Sequence, residues 1–146
     1  MSKRDIEFYI VDIFIAIEKI KRYSKEFKNA QDLLYSELQW DAIIRELEII
    51  GEATNRLLKL DFLSKEYIII VDFRNQINHG YFAIDENIVW EVITEYILEF
   101  RLELLKVIKE NFINLDEAIE SAKDDNNFSK NTLEFLDYFY KELNDE

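Results

Sequence analysis

The sequence predicts an all-α protein, built as an antiparallel bundle of four main helices with a C-terminal helical extension. Proline is absent and glycine occurs only at Gly51 and Gly80, so the residues that most readily break a helix are nearly missing. Apolar residues also recur at steps of three and four along most of the chain, which is the period of an amphipathic helix.

Six helices are predicted in chain order. The first spans about 3–27 and carries an isoleucine stripe, and the second spans about 32–59. The others cover 64 to about 79, 85 to about 110, about 116–122, and a last segment that begins after residue 129. Three residues that precede these segments have side chains suited to accept a hydrogen bond from a helix N-terminus: Ser64, Asp85 and Ser129.

Two segments depart from ordinary helical composition. Gly51 lies inside the second predicted helix, where glycine destabilises by about 1 kcal/mol relative to alanine. We expect it to permit a close approach of another helix. The stretch "EYIIIVDF" (66–73) is rich in β-branched residues and would favour a strand by propensity. No pairing partner lies nearby, so we predict a buried helix.

Composition excludes several kinds of site. With 146 residues, 49% of them apolar, the chain can form one domain with a substantial core. The absence of cysteine excludes disulfides, thiolate zinc sites and cysteine nucleophiles. A single histidine excludes a His-rich metal site, and we predict neither metal nor cofactor. With neither a signal-like start nor a long apolar run, we expect a soluble, cytoplasmic protein that does not engage a membrane.

The net charge of −13 disfavours broad electrostatic binding to nucleic acid. The charge is uneven, however. Residues 1–28 carry seven basic and five acidic side chains, whereas residues 115–146 carry three basic and ten acidic ones. The acidity is thus partly a property of the C-terminal tail, and a smaller basic face elsewhere is compatible with the composition.

The stretch "RNQINHGY" (74–81) gathers the polar side chains that could support chemistry. Arg74 and Asn78 are four apart, as are Asn75 and His79, so each pair shares a helix face. Arg74 and His79 are five apart, about 140° around the axis. This set supplies a cation, two amides and an acid/base group, which suits metal-free cleavage of RNA. The alternative is a polar helix end whose histidine only complements the helix dipole.

Cleavage through the ribose 2′-OH needs a base for that hydroxyl and an acid for the leaving oxygen. His79 is the only imidazole in the chain and cannot serve as both at once. A nuclease of this kind would therefore be a homodimer that brings two copies of the stretch together.

Longer stretches resemble a known family. The segments "WDAIIRELEIIGEATNRL" (40–57) and "FRNQINHGYFAIDENIVWEVI" (73–93) are similar to the HepT-like family of the HEPN superfamily. The opening "RDIEFYIVDIFIAIEKI" (4–20) resembles its first helix. The resemblance covers about 4–110 and implies a HEPN-like bundle over 1–113. An acidic helical extension would then occupy 114–146, packed on the bundle or flanking it.

The resemblance also implies a function and roles for residues. Family members are metal-independent endoribonuclease toxins that dimerise around a shared cleft. They pair with a small MntA-like nucleotidyltransferase antitoxin, which transfers AMP to the motif tyrosine. Arg74 and His79 would then be catalytic, Asn75 and Asn78 supporting, and Tyr81 the site of AMPylation. Glu52 of "GEA" would orient Arg74, or be an ordinary solvated carboxylate.

This sequence departs from the family where Asp72-Phe73 replaces a glycine-methionine pair before Arg74 and where proline is missing ahead of the motif helix. An acidic Asp72 could orient Arg74 or repel RNA. Two alternatives to the nuclease hypothesis therefore stay open. One is a non-catalytic module that docks to a nucleotidyltransferase, and the other is a structural helical dimer.

Overall fold

The computed structural model describes residues 3–78 and 84–145, and all of its regular elements within these ranges are helical. They are α1 (Lys3–Ser24), α2 (Ala30–Leu34), α3 (Glu37–Lys59), α4 (Ile68–Asn78), α5 (Glu86–Glu91), α6 (Ile97–Glu110), α7 (Asp116–Asp125) and α8 (Lys130–Asn144). A 3-10 turn, Lys65–Tyr67, leads into α4, and a π-helical turn, Val92–Tyr96, joins α5 to α6. The predicted all-α fold class is confirmed.

Helix α1 is the centre of the packing. Its isoleucine stripe is buried, and α1 contacts α3, α6, α7 and α8. The helix ends at Ser24, about three residues before its predicted end near residue 27. The Phe27 N–H donates to the Ser24 carbonyl oxygen and closes a turn there. The stripe therefore buries apolar surface on several neighbours at once, which is the main source of stability in a bundle.

The second predicted helix, 32–59, is two helices rather than one. The side chain of Asn29 accepts a hydrogen bond from the Asp32 N–H at 2.9 Å and so caps α2 as a separate short helix. Helix α3 then starts again after Ser36, whose carbonyl oxygen accepts from the Trp40 N–H. The break lets Leu33 of α2 turn into the core, where it is fully buried.

The β-branched stretch 66–73 is helical, as predicted. It enters through the 3-10 turn, in which the Tyr67 N–H donates to the Ser64 carbonyl oxygen at 3.2 Å. Ile70 and Val71 are buried, so tertiary burial overrides their preference for strands. The Tyr67 ring lies 5.0 Å from the ring of Phe100 and anchors this end of α4 on α6.

The predicted helix 85–110 forms with the expected cap but is not uniformly α-helical. Asp85 accepts from the Asn87 N–H at 2.8 Å, which confirms its N-cap role. The π-helical turn that interrupts it was not predicted. Within it, the Thr94 hydroxyl donates to the Trp90 carbonyl oxygen at 2.6 Å. A side chain that bonds the backbone four residues earlier competes with the regular ladder and distorts a helix.

The C-terminal helices join the same core. Helix α7 runs three residues beyond its predicted end, and α8 begins where Ser129 accepts from the Thr132 N–H, which confirms that cap. Phe139 of α8 stacks on Phe14 with ring centroids 4.4 Å apart, and both are fully buried. The proposed division between a bundle of residues 1–113 and an extension of residues 114–146 stays a prediction.

Candidate functional site

Arg74 lies half-buried in the middle of α4, where that helix approaches Gly51 of α3 closely. A Cβ atom placed on Gly51 of α3 would collide with the Cβ of Arg74 and would lie 2.8 Å from its Cγ. It would also lie 3.3 Å from the carbonyl oxygen of Ile70. The close helix approach predicted at Gly51 is therefore confirmed, and its partner is the arginine of the motif.

The far end of the same side chain is held by its neighbour. The Nη1 of Arg74 donates a hydrogen bond to the Oδ1 of Asn75 at 3.0 Å. Consecutive helical residues do not ordinarily face each other, so the bond depends on the length of the arginine side chain. Asn75 is half-buried, and its carboxamide restricts the directions that the guanidinium can take. Such restriction suits a group that must meet a phosphate in a defined orientation.

Two acidic residues could act on Arg74, Glu52 of α3 and Asp72 of α4, and both are exposed. Glu52 follows Gly51 on α3 and so points about 100° away from the contact with α4. Its predicted role in orienting Arg74 stays a prediction. Asp72 precedes Phe73 on α4 and brings a negative charge within two residues of Arg74.

The rest of the motif is only partly covered by the structure. Helix α4 ends at Asn78, whose side chain lies outside what the structure describes. His79 and Tyr81 also lie outside the described residues. Of the predicted site residues, the structure thus brings together Arg74 and Asn75. The functional roles of all six predicted site residues remain predictions. They are Arg74, Asn75, Asn78, His79, Tyr81 and Glu52.

An apolar cavity of about 220 Å³ lies beside α4 and was not anticipated from the sequence. Residues of α3, α4, α5, the π-helical turn and the start of α6 border it, and Asp72 is its single charged lining residue among those described. The lining residues are Leu47, Ile50, Ile70, Asp72, Phe73, Ile88, Val92, Tyr96 and Ile97. A gap between helices depends on their relative placement, so the apolar period of each single helix does not predict this cavity.

Two carboxyl groups with raised pKa values lie away from the motif. Desolvation by the surrounding protein chiefly raises the pKa of Asp12 to about 6, although the residue is exposed at the surface of α1, and the negative charge of Asp125 raises it further. Burial also raises the pKa of Glu46, although nearby Lys19 and Arg45 oppose it. Asp12 and Glu46 border a second cavity of about 300 Å³, which shares no described lining residue with the cavity beside α4. These shifts therefore concern the α1–α3 surface and not Arg74.

Residues 3–78 and 84–145 offer neither a metal-binding cluster nor a candidate membrane span. No group of three or more His, Cys, Asp or Glu side chains in that part of the chain is arranged to hold a metal ion. Over the same residues, no helix combines the length and apolarity that crossing a membrane requires.

Comparison with known proteins identifies the family. A family model described as Ribonuclease HepT-like matches residues 13–121, about three quarters of the chain. The chain belongs to the HepT-like family. A protein of Methanocaldococcus jannaschii named gamma-glutamylcyclotransferase and putative RNase is 33% identical over 112 residues. The match covers 74% of this chain but 50% of that protein, so the chain spans about half of that relative's length.

Other relatives of this HepT-like chain are matched almost end to end. A putative RNase of M. jannaschii is 31% identical over 108 residues, which cover 71% of this chain and 97% of that protein. The probable ribonuclease HepT of Thermococcus cleftensis is 32% identical over 111 residues, which cover 73% of this chain and 99% of that protein. No solved structure matches the chain significantly.

The HepT-like match begins within α1 and ends within α7. It therefore includes Gly51, Arg74 and the segment that runs to Tyr81, whereas α8 lies beyond it. The family resemblance noted in the sequence is confirmed.

Proposed function

We propose that this HepT-like chain is a metal-independent endoribonuclease that acts in the cytoplasm as the toxin of a toxin–antitoxin pair. Membership of a family described as Ribonuclease HepT-like is the observation that carries the proposal. Relatives named as putative or probable ribonucleases support it. The setting of Arg74 is consistent with it, because a guanidinium restrained by Asn75 is suited to bind phosphate.

In the proposed reaction, the ribose 2′-oxygen attacks the adjacent phosphorus and the bond from phosphorus to the 5′-oxygen breaks. A base takes the 2′-OH proton, and an acid gives a proton to the departing 5′-oxygen. The products are a 2′,3′-cyclic phosphate and a 5′-hydroxyl. We assign proton transfer to His79 and stabilisation of the negative transition state to Arg74. Asn75 and Asn78 would support the site by hydrogen bonding.

The proposal requires a homodimer, since each chain contributes one histidine. Two copies of the motif at a shared cleft would supply a base and an acid together. We expect light scattering to give twice the monomer mass. A strictly monomeric and active protein would contradict the shared cleft while leaving ribonuclease activity in place.

We further propose that a small nucleotidyltransferase partner inactivates the protein by attaching AMP to Tyr81. An adenylyl group two residues from His79 would add bulk and negative charge where RNA phosphates approach. The result would be steric and electrostatic exclusion of the substrate.

The decisive experiment is RNA cleavage in EDTA by purified protein that mass spectrometry shows to be unmodified. The wild type should produce ends with 2′,3′-cyclic phosphate and 5′-hydroxyl groups. Arg74→Ala should lower kcat by roughly 10²–10³-fold, as removal of an oxyanion-stabilising donor does. His79→Ala should abolish cleavage with helical content and dimer mass unchanged.

Arg45→Ala is the matched control, since the Arg45 side chain is 67% exposed on α3 and its loss removes the same charge. It should cleave like the wild type. If the unmodified wild type leaves a varied set of RNAs intact, the proposed activity is wrong.

The modification is tested by incubation with the nucleotidyltransferase and ATP, followed by mass measurement. The wild type and Tyr35→Phe should gain mass in units of AMP, because Tyr35 is an 80% exposed tyrosine far from the motif in sequence. Tyr81→Phe should gain none. Equal labelling of Tyr81→Phe would remove Tyr81 from the proposed mechanism.

A second candidate function is a non-catalytic module that docks to a nucleotidyltransferase. The exposed Asp72, two residues before Arg74 on α4, and the net charge of −13 favour it, because both weaken attraction for RNA phosphates. This candidate predicts partner binding that survives the double change Arg74→Ala/His79→Ala, with no cleavage in any preparation.

A further inference from the structure

The motif arginine, Arg74, occupies the space that a side chain at Gly51 of α3 would need. The atoms that occupy the space are the first two carbons of the Arg74 side chain, and the next nearest is the carbonyl oxygen of Ile70. The arginine is therefore restrained where its side chain leaves the backbone, by direct contact with the α3 backbone.

The same side chain is restrained a second time at its charged end, where Nη1 donates to the Oδ1 of Asn75. A flexible side chain with contacts at its stem and at its tip has few remaining rotamers. Any displacement of the stem moves the guanidinium relative to the backbone of α4. The position of the charge thus depends on the absence of a side chain at residue 51.

We propose that Gly51 is a positioning residue for Arg74: it lets α4 lie against α3 so that the guanidinium is held where it meets the RNA phosphate. The inference rests on the proposed ribonuclease function. It assigns to Gly51 an effect on the reaction that goes beyond helix packing and acts through Arg74 alone. Gly51 itself touches neither substrate nor reacting atoms.

The test is the cleavage kinetics of Gly51→Ala on one defined RNA in EDTA. A methyl group at residue 51 must displace the Arg74 stem or separate α3 from α4. We expect kcat to fall roughly 10- to 100-fold, because misplacement of a catalytic group by about 1 Å has effects of that size. The KM should change little, since a group that acts on the transition state affects kcat and kcat/KM together.

Ala53→Val is the matched control. Ala53 is also buried in α3, but two residues along a helix correspond to about 200° of rotation, so its side chain points away from the contact at Gly51. Added bulk there should lower the melting temperature without a comparable loss of kcat. An equal loss of kcat in both variants would mean that general destabilisation of α3 is responsible, and the proposal would be overturned.

The second readout compares two backgrounds. In Arg74→Gly, the side chain that the methyl group would displace is absent, so adding Gly51→Ala should cause no further loss of the residual rate. Loss by the same factor in both backgrounds would overturn the proposal. Should Gly51→Ala alone fail to fold, Gly51→Ala/Arg74→Gly should fold, because the collision with the side chain is relieved. If that double variant also fails to fold, the added methyl group collides chiefly with the backbone near Ile70 and not with the Arg74 side chain. That result would overturn the proposal.

The wild type separates this inference from the proposed function. A wild type that cleaves RNA together with a Gly51→Ala protein of unchanged kcat overturns the positioning role alone. A wild type that cleaves no RNA overturns the ribonuclease function, and the positioning role falls with it.

Discussion

Phe139→Ala tests whether the C-terminal helix α8 is part of the structural unit of the bundle. The Phe139 ring is fully buried, with its centroid 4.4 Å from that of Phe14 on α1 and 5.7 Å from that of Phe135. Truncation of a buried phenylalanine to alanine lowers the free energy of unfolding by about 3–5 kcal/mol, which includes the lost ring contacts and the cavity left behind. We expect a loss in this range because α1 holds Phe14 in place and so limits collapse around the cavity.

For a domain of about this size, each 1 kcal/mol corresponds to a change in Tm of about 2–4 °C. The expected drop is therefore on the order of 6–20 °C, measured by circular dichroism. Urea denaturation should show a lower midpoint with an unchanged m value, because the whole chain should still unfold in one transition.

Tyr138→Ala is the control, since Tyr138 is adjacent in sequence but 61% exposed. It should change the free energy of unfolding by about 0.5 kcal/mol or less. A loss below about 1 kcal/mol for Phe139→Ala, or a separate early transition for α8, would refute the conclusion that α8 shares the core.

Three further predictions concern individual polar groups. The pKa of Asp12 is about 6 in the folded protein against 3.8 for an unperturbed carboxyl, so the folded state binds more protons between these values and stability falls as pH rises from about 4 to 6. Asp12→Asn should flatten this part of a plot of Tm against pH, whereas an unchanged slope would contradict the shift. Glu142→Gln should lower stability by about 1 kcal/mol in urea denaturation, because it weakens the paired hydrogen bonds of 3.0 and 2.7 Å from Arg101; no change would mean that the pair is not maintained in solution. The hydroxyl of Thr54 is buried without a hydrogen-bond partner among the described residues. Thr54→Val should therefore leave the free energy of unfolding unchanged or raise it by about 1 kcal/mol in thermal melts. A clear loss of stability would mean that the hydroxyl has a partner.

Several helices and two of the three predicted caps could be recognised because they depend on neighbouring residues. The period of apolar side chains placed α1 within a few residues of its observed bounds and located the C-terminal ends of α3 and α6. Asp85 and Ser129 were recognised as caps from side-chain chemistry alone, and both accept the expected backbone hydrogen bond. Arg74 and Asn75 were selected as candidates because they belong to one polar stretch that also carries the family resemblance, and they prove to be hydrogen-bonded to each other.

Features that depend on contacts between distant segments were not predictable in the same way. The separation of α2 from α3 depends on the burial of Leu33 in the core. The π-helical turn contains the hydrogen bond from the Thr94 hydroxyl to the Trp90 carbonyl oxygen, and the sequence does not show that this bond forms. The apolar cavity beside α4 arises from the relative placement of the helices around it, which no single helix specifies.

The contact at Gly51 was predicted in part from the sequence and in part only seen in the tertiary structure. The sequence by itself determined that a glycine inside a long helix would admit a close neighbour, because glycine is otherwise unfavourable there. Only the tertiary structure decided that the neighbour is Arg74, which lies 23 positions later in the chain. Helix periodicity describes which face of each helix is apolar, whereas the register of α3 against α4 follows from how all the side chains between them pack together.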